Sequence, residues 1–354
     1  MDTTTIRDAA ARHGIDEEYC RSFLLRIGLT PNCNYRCTYC NPVGLTGSTD
    51  YLSDTDLVET IAVNAVLGVR RVHLTGGEPL MRRGLPGLLQ RVEDLTGIRL
   101  EYYLTTNGSL LTRSLAEDLA AVGMRRCNVS VDAFGHATFR AVAGKDQLAH
   151  ALRGARVAGE VFERTKLNMV VLRRLNLDDL PRAVDFCQEN GLVLRLMELL
   201  PFSITPAPDD FFVENHVGKE EMESLLDAFG PRRRVSTEGN NWACDYWHVG
   251  DLAQPIGIVH HHSRGYGCVR ERCLSVRLSS TGSIAACYTA GHGTRTVKDL
   301  PLADKVEQIV ATYVEKRELE LGLAPYPRYH LPDYETFRGD PGAAGRTTLQ
   351  LAGR

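Results

Sequence analysis

Three cysteines fall within eight positions of the stretch "TPNCNYRCTYCNP": Cys33, Cys37 and Cys40. Thiolates spaced CxxxCxxC can wrap one corner of an iron–sulfur cube, leaving a fourth iron without a protein ligand. A closed structural zinc site wants four ligands, and no fourth Cys or His follows within this loop. The spacing therefore favours a cluster with an open coordination site, which is an arrangement for chemistry. A second trio, Cys268, Cys273 and Cys287, is looser, and a cube, a zinc site and unmetallated thiols all remain open for it. Cys244 reads as a lone thiol or a further ligand to that trio. His260, His261 and His262 stand in a row, point in different directions and read as loop surface. Cys127 and Cys187 sit in apolar periodic segments, where a free cysteine acts as a small buried hydrophobe.

The first trio directly follows an apolar run, "LRIGLT" at 25–30. Further candidate strands are 71–76, 100–106, 127–133, 166–171 and 192–199. Amphipathic helical patterns lie between them, one opening on Ser53 and Asp54 as caps, and several ending on Gly68, Gly123 or Gly191. Six strand–helix units read as a partial (βα)6 TIM-like barrel, whose chemistry belongs at the carboxyl ends of the strands. The unusual motifs fall there: "LTGGEPL", "TTNG" and "NVSVDA" close strands two to four. The chain divides into an N-terminal extension (1–24), the barrel (25–201), a C-terminal auxiliary-cluster region (202–299) and a final helix and tail (300–354).

Composition bounds the rest. With 354 residues, 43% hydrophobic and 24% charged, the chain can bury a sizeable core. A net charge of −3 gives no global pull toward nucleic acid or membrane, so anion binding needs a local basic pocket. No run of about 18 apolar residues appears, and the N-terminus lacks a secretory pattern. The expectation is a soluble cytoplasmic protein, in which clustered cysteines signal metal ligation and not disulfides.

CxxxCxxC with Tyr39 before the last cysteine, on the loop after the first strand of a βα barrel, resembles the radical S-adenosylmethionine (radical SAM) superfamily. That resemblance implies a [4Fe–4S] cluster on Cys33, Cys37 and Cys40 whose open iron is chelated by S-adenosylmethionine (SAM). It further implies reductive cleavage to a 5′-deoxyadenosyl radical, fed by a donor such as flavodoxin or ferredoxin. By the same resemblance Gly76, Gly77 and Glu78 hold the methionine amino group. Tyr39, Thr106, Ser130, Leu200 and Asp132 join the cofactor contacts.

From Arg26 to the low 290s the chain is similar to the GTP 3′,8-cyclases of molybdenum-cofactor biosynthesis. This implies a second [4Fe–4S] cluster on Cys268, Cys273 and Cys287. Four residues separate the first two of these cysteines where that family has two. Arg26, Arg71, Lys166, Arg195 and Arg277 stand where the family places cations for a nucleotide. His73 and Ser275 replace arginines, and the closing "LQLAGR" lacks the family's Gly-Gly tail. The expected enzyme is a divergent paralogue, a lyase or oxidoreductase, acting on an anionic nucleoside or sugar nucleotide. A cytosylglucuronate decarboxylase-like step of antibiotic biosynthesis is a fitting comparison. The alternatives are GTP cyclisation itself and peptide modification; a non-enzymatic iron–sulfur sensor explains neither the GGEP stretch nor an open iron. Asp132 and Glu198 are acid–base candidates as polar groups at strand ends.

Overall fold

In the computed structural model, residues 1–40, 47–200, 210–235, 244–260, 274–286, 293–321 and 323 are described. Six strands form the centre: β1 (Leu24–Gly28), β2 (Arg71–Thr75), β3 (Glu101–Thr106), β4 (Met124–Ser130), β5 (Arg164–Val170) and β6 (Val193–Met197). Each pairs parallel with the next. Their alternation of residue types explains their two faces. Leu25, Ile27, Val72, Leu74, Tyr102 and Leu104 are buried on one. Arg26, His73, Tyr103 and Thr105 are only half-buried on the other. A strand read with period two cannot turn over without exchanging these sets, so the pattern fixes which residues face the barrel interior.

Helices α1 (Thr3–Ala11) and α2 (Glu17–Arg21) precede the barrel. Between its strands run α3 (Asp54–Leu67), α4 (Leu85–Thr96), α5 (Arg113–Ala121), α6 (His136–Ala143), α7 (Leu148–Val161) and α8 (Leu180–Glu189). Ser53 caps α3, its hydroxyl accepting from the Asp56 amide at 3.0 Å, as Ser and Asp at that position foretold. The result is an α/β fold, a partial (βα)6 barrel.

The region after residue 200 is woven into the same sheet. It contains α9 (Phe211–Asn215), α10 (Lys219–Leu225), β7 (Arg232–Val235), β8 (Cys244–Val249) and β9 (Ile256–Val259). Then come β10 (Ser275–Leu278), β11 (Ser283–Ala285), β12 (Arg295–Thr296) and α11 (Leu302–Glu320). β9 pairs parallel with β6, and β10 pairs parallel with β1. The strand order is β12-β11-β10-β1-β2-β3-β4-β5-β6-β9-β8-β7, so this region extends both edges of the barrel. α11 packs back on α3, where Lys305 pairs with Asp56 at 2.6 Å and the Tyr313 hydroxyl donates to Asn64 Oδ1 at 2.7 Å. Among the described residues, no helix is long and apolar enough to cross a membrane.

Candidate active site

The cysteine loop leaves β1 and is tied down on three sides. The Gly77 amide donates to Thr30 O at 2.8 Å, and the Glu78 amide donates to Asn32 O at 2.8 Å. A Cβ at Gly77 would stand 2.2 Å from Asn32 O, and one at Gly76 would stand 2.6 Å from Thr30 O. Only glycine permits this approach, so the pair of glycines seats the cysteine loop on the end of β2. On a second side, the Arg36 and Thr38 amides donate to Ala143 O (3.0 Å) and Val142 O (2.9 Å) at the end of α6. On a third, the Tyr39 hydroxyl donates to Asp132 Oδ2 at 2.5 Å, just beyond β4.

Burial raises all three thiols out of their usual range. For Cys37 the charges of Asp132, Cys40 and Cys33 add to burial, and Cys40 is pushed up to about 11 by burial, Cys33 and Asp132. The sulfurs are therefore near enough to repel one another as thiolates. Among the described residues, however, no three Cys, His, Asp or Glu side chains converge as ligands of one ion.

Beside the loop, Glu78 is buried and its carboxylate accepts from the Thr106 hydroxyl at 2.7 Å, the Asn107 amide at 2.7 Å and the Leu80 amide at 3.0 Å. Burial raises its pKa, and these three donors pull it back down. Asn107 continues to Asn34 Oδ1 at 2.8 Å and Asn34 to Ser109 Oγ at 2.9 Å. Ser130, Asp132, Tyr39, Cys37 and Asn107 line a small enclosed cavity against the thiols. Leu200, half-buried, follows the end of β6.

A second layer lies deeper in the barrel. Arg277, Arg26 and His73 are direct partners across β10, β1 and β2. Asn128 partners Lys166 across β4 and β5, and Asn168 partners Arg195 across β5 and β6. Arg195 Nε donates to Asn168 Oδ1 at 2.8 Å, and Lys166 Nζ donates to the Tyr246 hydroxyl at 2.6 Å. Burial, with Arg195 next, lowers Lys166 to about 8. Burial, with Arg26, Arg195 and Arg277 behind it, drives His73 down to about 3, so its imidazole is neutral. Thr105 Oγ1 lies 2.8 Å from His73 Nε2 and accepts from Asn128 Nδ2 at 3.1 Å, which leaves its own proton for His73.

The family whose profile matches, the Radical SAM superfamily, covers residues 27–187. The GTP 3′,8-cyclase 2 of Pseudomonas aeruginosa is 33% identical over 272 residues, covering 76% of this chain and 79% of that protein. The GTP 3′,8-cyclase of Gloeobacter violaceus is 31% identical, covering 93% of this chain and 98% of the relative. The chain belongs to the radical SAM superfamily. It is an enzyme whose cofactors are a [4Fe–4S] cluster and SAM. In fold it is similar to Streptococcus suis SuiB bound to S-adenosylmethionine, with a TM-score of 0.54 at 17% identity over 90% of this chain and 68% of that one.

The residues of this radical SAM chain fit the cluster. Each thiolate of a cube binds a different iron, and Cys33, Cys37 and Cys40, mutually near on one loop, can supply three of them. Three thiols with raised pKa values also need the cationic irons to be held as thiolates.

Other expected residues lie elsewhere. Arg71 donates to Ser22 O at 2.6 Å, toward the amino end of the strands. Glu198 lies 3.0 Å from His216 Nε2. His260, expected on the loop surface, is instead buried, with Nε2 3.0 Å from Asp245 Oδ2, because it directly follows the buried strand β9. Cys244 is buried beside the cationic layer. Cys268, Cys273, Cys287, His261, His262 and the tail lie outside the described residues.

Thr105, Asn128, Tyr246 and Gly257 were not singled out in the sequence. A Cβ at Gly257 would meet the Tyr246 ring at 2.8 Å, Cys244 Sγ at 2.9 Å and the Arg195 side chain at 3.1 Å. The bare backbone at Gly257 thus makes the space in which Tyr246 reaches Lys166. Only the Gly within an apolar strand run, a sign of close approach, could have marked it.

Proposed function

We propose that this radical SAM enzyme removes hydrogen from an anionic nucleoside or sugar nucleotide seated on the cationic layer of the barrel. The observation that carries the reading is the gathering of Arg26, Arg195 and Arg277 around His73, with Lys166 beside Arg195, on the half-buried strand faces. Cations brought together at such a cost in desolvation and mutual repulsion are suited to completion by an anion. When bound, the cluster supplies the electron that cleaves SAM to a 5′-deoxyadenosyl radical. Cys33, Cys37 and Cys40 would hold that cluster. Gly76 and Gly77 seat their loop, and Glu78, Thr106 and Ser130 line the adjoining cofactor side. Arg26, Lys166, Arg195 and Arg277 orient the substrate, and His73 offers a neutral hydrogen bond among them. Cys268, Cys273 and Cys287 would bind a second cluster. The reaction class beyond hydrogen abstraction, including a decarboxylation of the cytosylglucuronate kind, belongs to the same proposal.

A second reading, GTP 3′,8-cyclisation, is favoured by the sequence relatives at 31–33% identity. The neutral His73 weighs against it, since a triphosphate gains more from a cation there. The test is anaerobic incubation of reconstituted enzyme with SAM, a reductant and one of several deuterated nucleosides, GTP included. Deuterium should enter 5′-deoxyadenosine from a nucleoside carboxylate or sugar nucleotide and not from GTP. Turnover of GTP to a cyclised product would establish the second reading instead.

A further inference from the structure

Asp132 is expected either to touch SAM or to move a proton, and its surroundings give it a further task. The side chain is 7% exposed, and both of its oxygens already accept: Oδ2 from the Tyr39 hydroxyl at 2.5 Å and Oδ1 from the Val170 amide at 2.8 Å. Its main chain is held as firmly. Asn176, itself buried, donates through Nδ2 to Asp132 O at 2.6 Å and to Val170 O at 2.8 Å, and accepts from the Leu172 amide at 2.7 Å. These groups sit at the ends of β4 and β5, across the barrel mouth from β1. Tyr39 lies one residue from Cys40 and two from Cys37. A buried bracket built on two strand ends therefore reaches the middle of the thiol trio.

The geometry points to Asp132 as a positioning residue for the [4Fe–4S] cluster. By holding the Tyr39 hydroxyl it sets where Cys37 and Cys40 stand, and its carboxylate bears directly on the charge of the ligated trio. A hydroxyl donating to a carboxylate is about twice as strong as a neutral pair, which suits a tether that must hold one short loop. The two amide bonds from Arg36 and Thr38 fix the loop only upstream of Tyr39. At the last cysteine the Cys40 amide donates to Cys37 O at 3.1 Å, closing a turn within the loop, and the Tyr39 hydroxyl ties that turn to the strand end. The carboxylate lines the same small cavity as Cys37, so its charge is felt by whatever that sulfur binds.

The inference rests on the cluster reading of the trio, and the experiment separates the two. Wild-type protein is reconstituted anaerobically first; failure to take up iron and sulfide would sink the cluster reading before any variant is compared. Tyr39→Phe then removes the tether alone and leaves the Val170 bond in place. Asp132→Asn keeps groups able to bond Tyr39 and Val170 but carries no charge. In Tyr39→Phe, iron should be lost to a chelator roughly tenfold faster, the worth of one charge-assisted hydrogen bond. In Asp132→Asn, iron content should hold, and the midpoint potential, followed by EPR at pH 8 without substrate, should move to a more positive value. An unchanged chelation rate in the first variant or an unshifted potential in the second overturns the proposal. So does a fall in melting temperature of cluster-free Tyr39→Phe as large as that of the loaded form, which would make Tyr39 a fold residue only.

Discussion

At the mouth of the barrel, two buried carboxylates, Glu78 and Asp132, each carry donors from the protein itself: Thr106, Asn107 and Leu80 on the first, Tyr39 and Val170 on the second. In the deeper layer, Lys166 and Arg195 are cations bonded to neutral partners, Tyr246 and Asn168, and Arg26 and Arg277 bring their charge to a neutral His73. The mouth holds a loop still, so that the position of a cofactor follows from backbone geometry. The deeper layer gathers cations, where the proposed anionic substrate would sit. One region is organised around buried carboxylates and the other around gathered cations, and substitutions should separate them.

The largest separation should come from Cys37→Ala. Loss of one of three ligands should abolish 5′-deoxyadenosine formation and most of the iron, while nucleotide binding, followed by calorimetry, persists. Gly77→Ala should come next. Its Cβ would press on Asn32 O, costing about 1–3 kcal/mol of overpacking and displacing the cysteine loop. Iron content and melting temperature should both fall; a variant with a full cluster and unchanged melting would break the account of the mouth.

Lys166→Met probes the deeper layer. Losing one charge-assisted contact should cost about 1.5–3 kcal/mol of substrate binding, seen as KM raised by roughly ten- to a hundredfold. Melting temperature should hold or rise, because the variant no longer buries a cation. A drop in melting temperature with KM unchanged would make Lys166 a structural residue.

The smallest effects are in pH. Lys166, lowered to about 8, is cationic below that value, so KM should rise as pH climbs through 8. Lys166→Arg should flatten the rise, because arginine stays charged. For stability the sign is the reverse. A lysine whose folded pKa lies below its ordinary value opposes folding while charged, and the penalty fades as pH increases from about 8 toward that ordinary value. His73, at about 3, should contribute no break near pH 6.5, and a break there that vanishes in His73→Gln would show a charged imidazole and undo the contrast.

All six barrel strands were legible, each within three residues of its observed ends, because apolar alternation and glycine stops are local signals. The cysteine trio and GGEP stretch were legible for the same reason: spacing on one loop is written in the chain. The joining of β10 to β1 and β9 to β6 was not, since pairing across some 60 to 250 residues leaves no trace in a short window. With it went the partnership of Arg277 with Arg26 and the space Gly257 makes for Tyr246. The close approach of Gly76 and Gly77 to the cysteine loop was likewise not written in the local sequence.

By itself the sequence determined the thiol spacing, the six strand–helix units and the residue types at each strand end, because each depends on neighbours a few positions apart. Tertiary structure alone decided that His73 is neutral, that Lys166 is poised near pH 8 and that Asp132 brackets Tyr39. Burial and the fields of distant charges set protonation and partnership, and these exist only once the sheet has brought remote strands together.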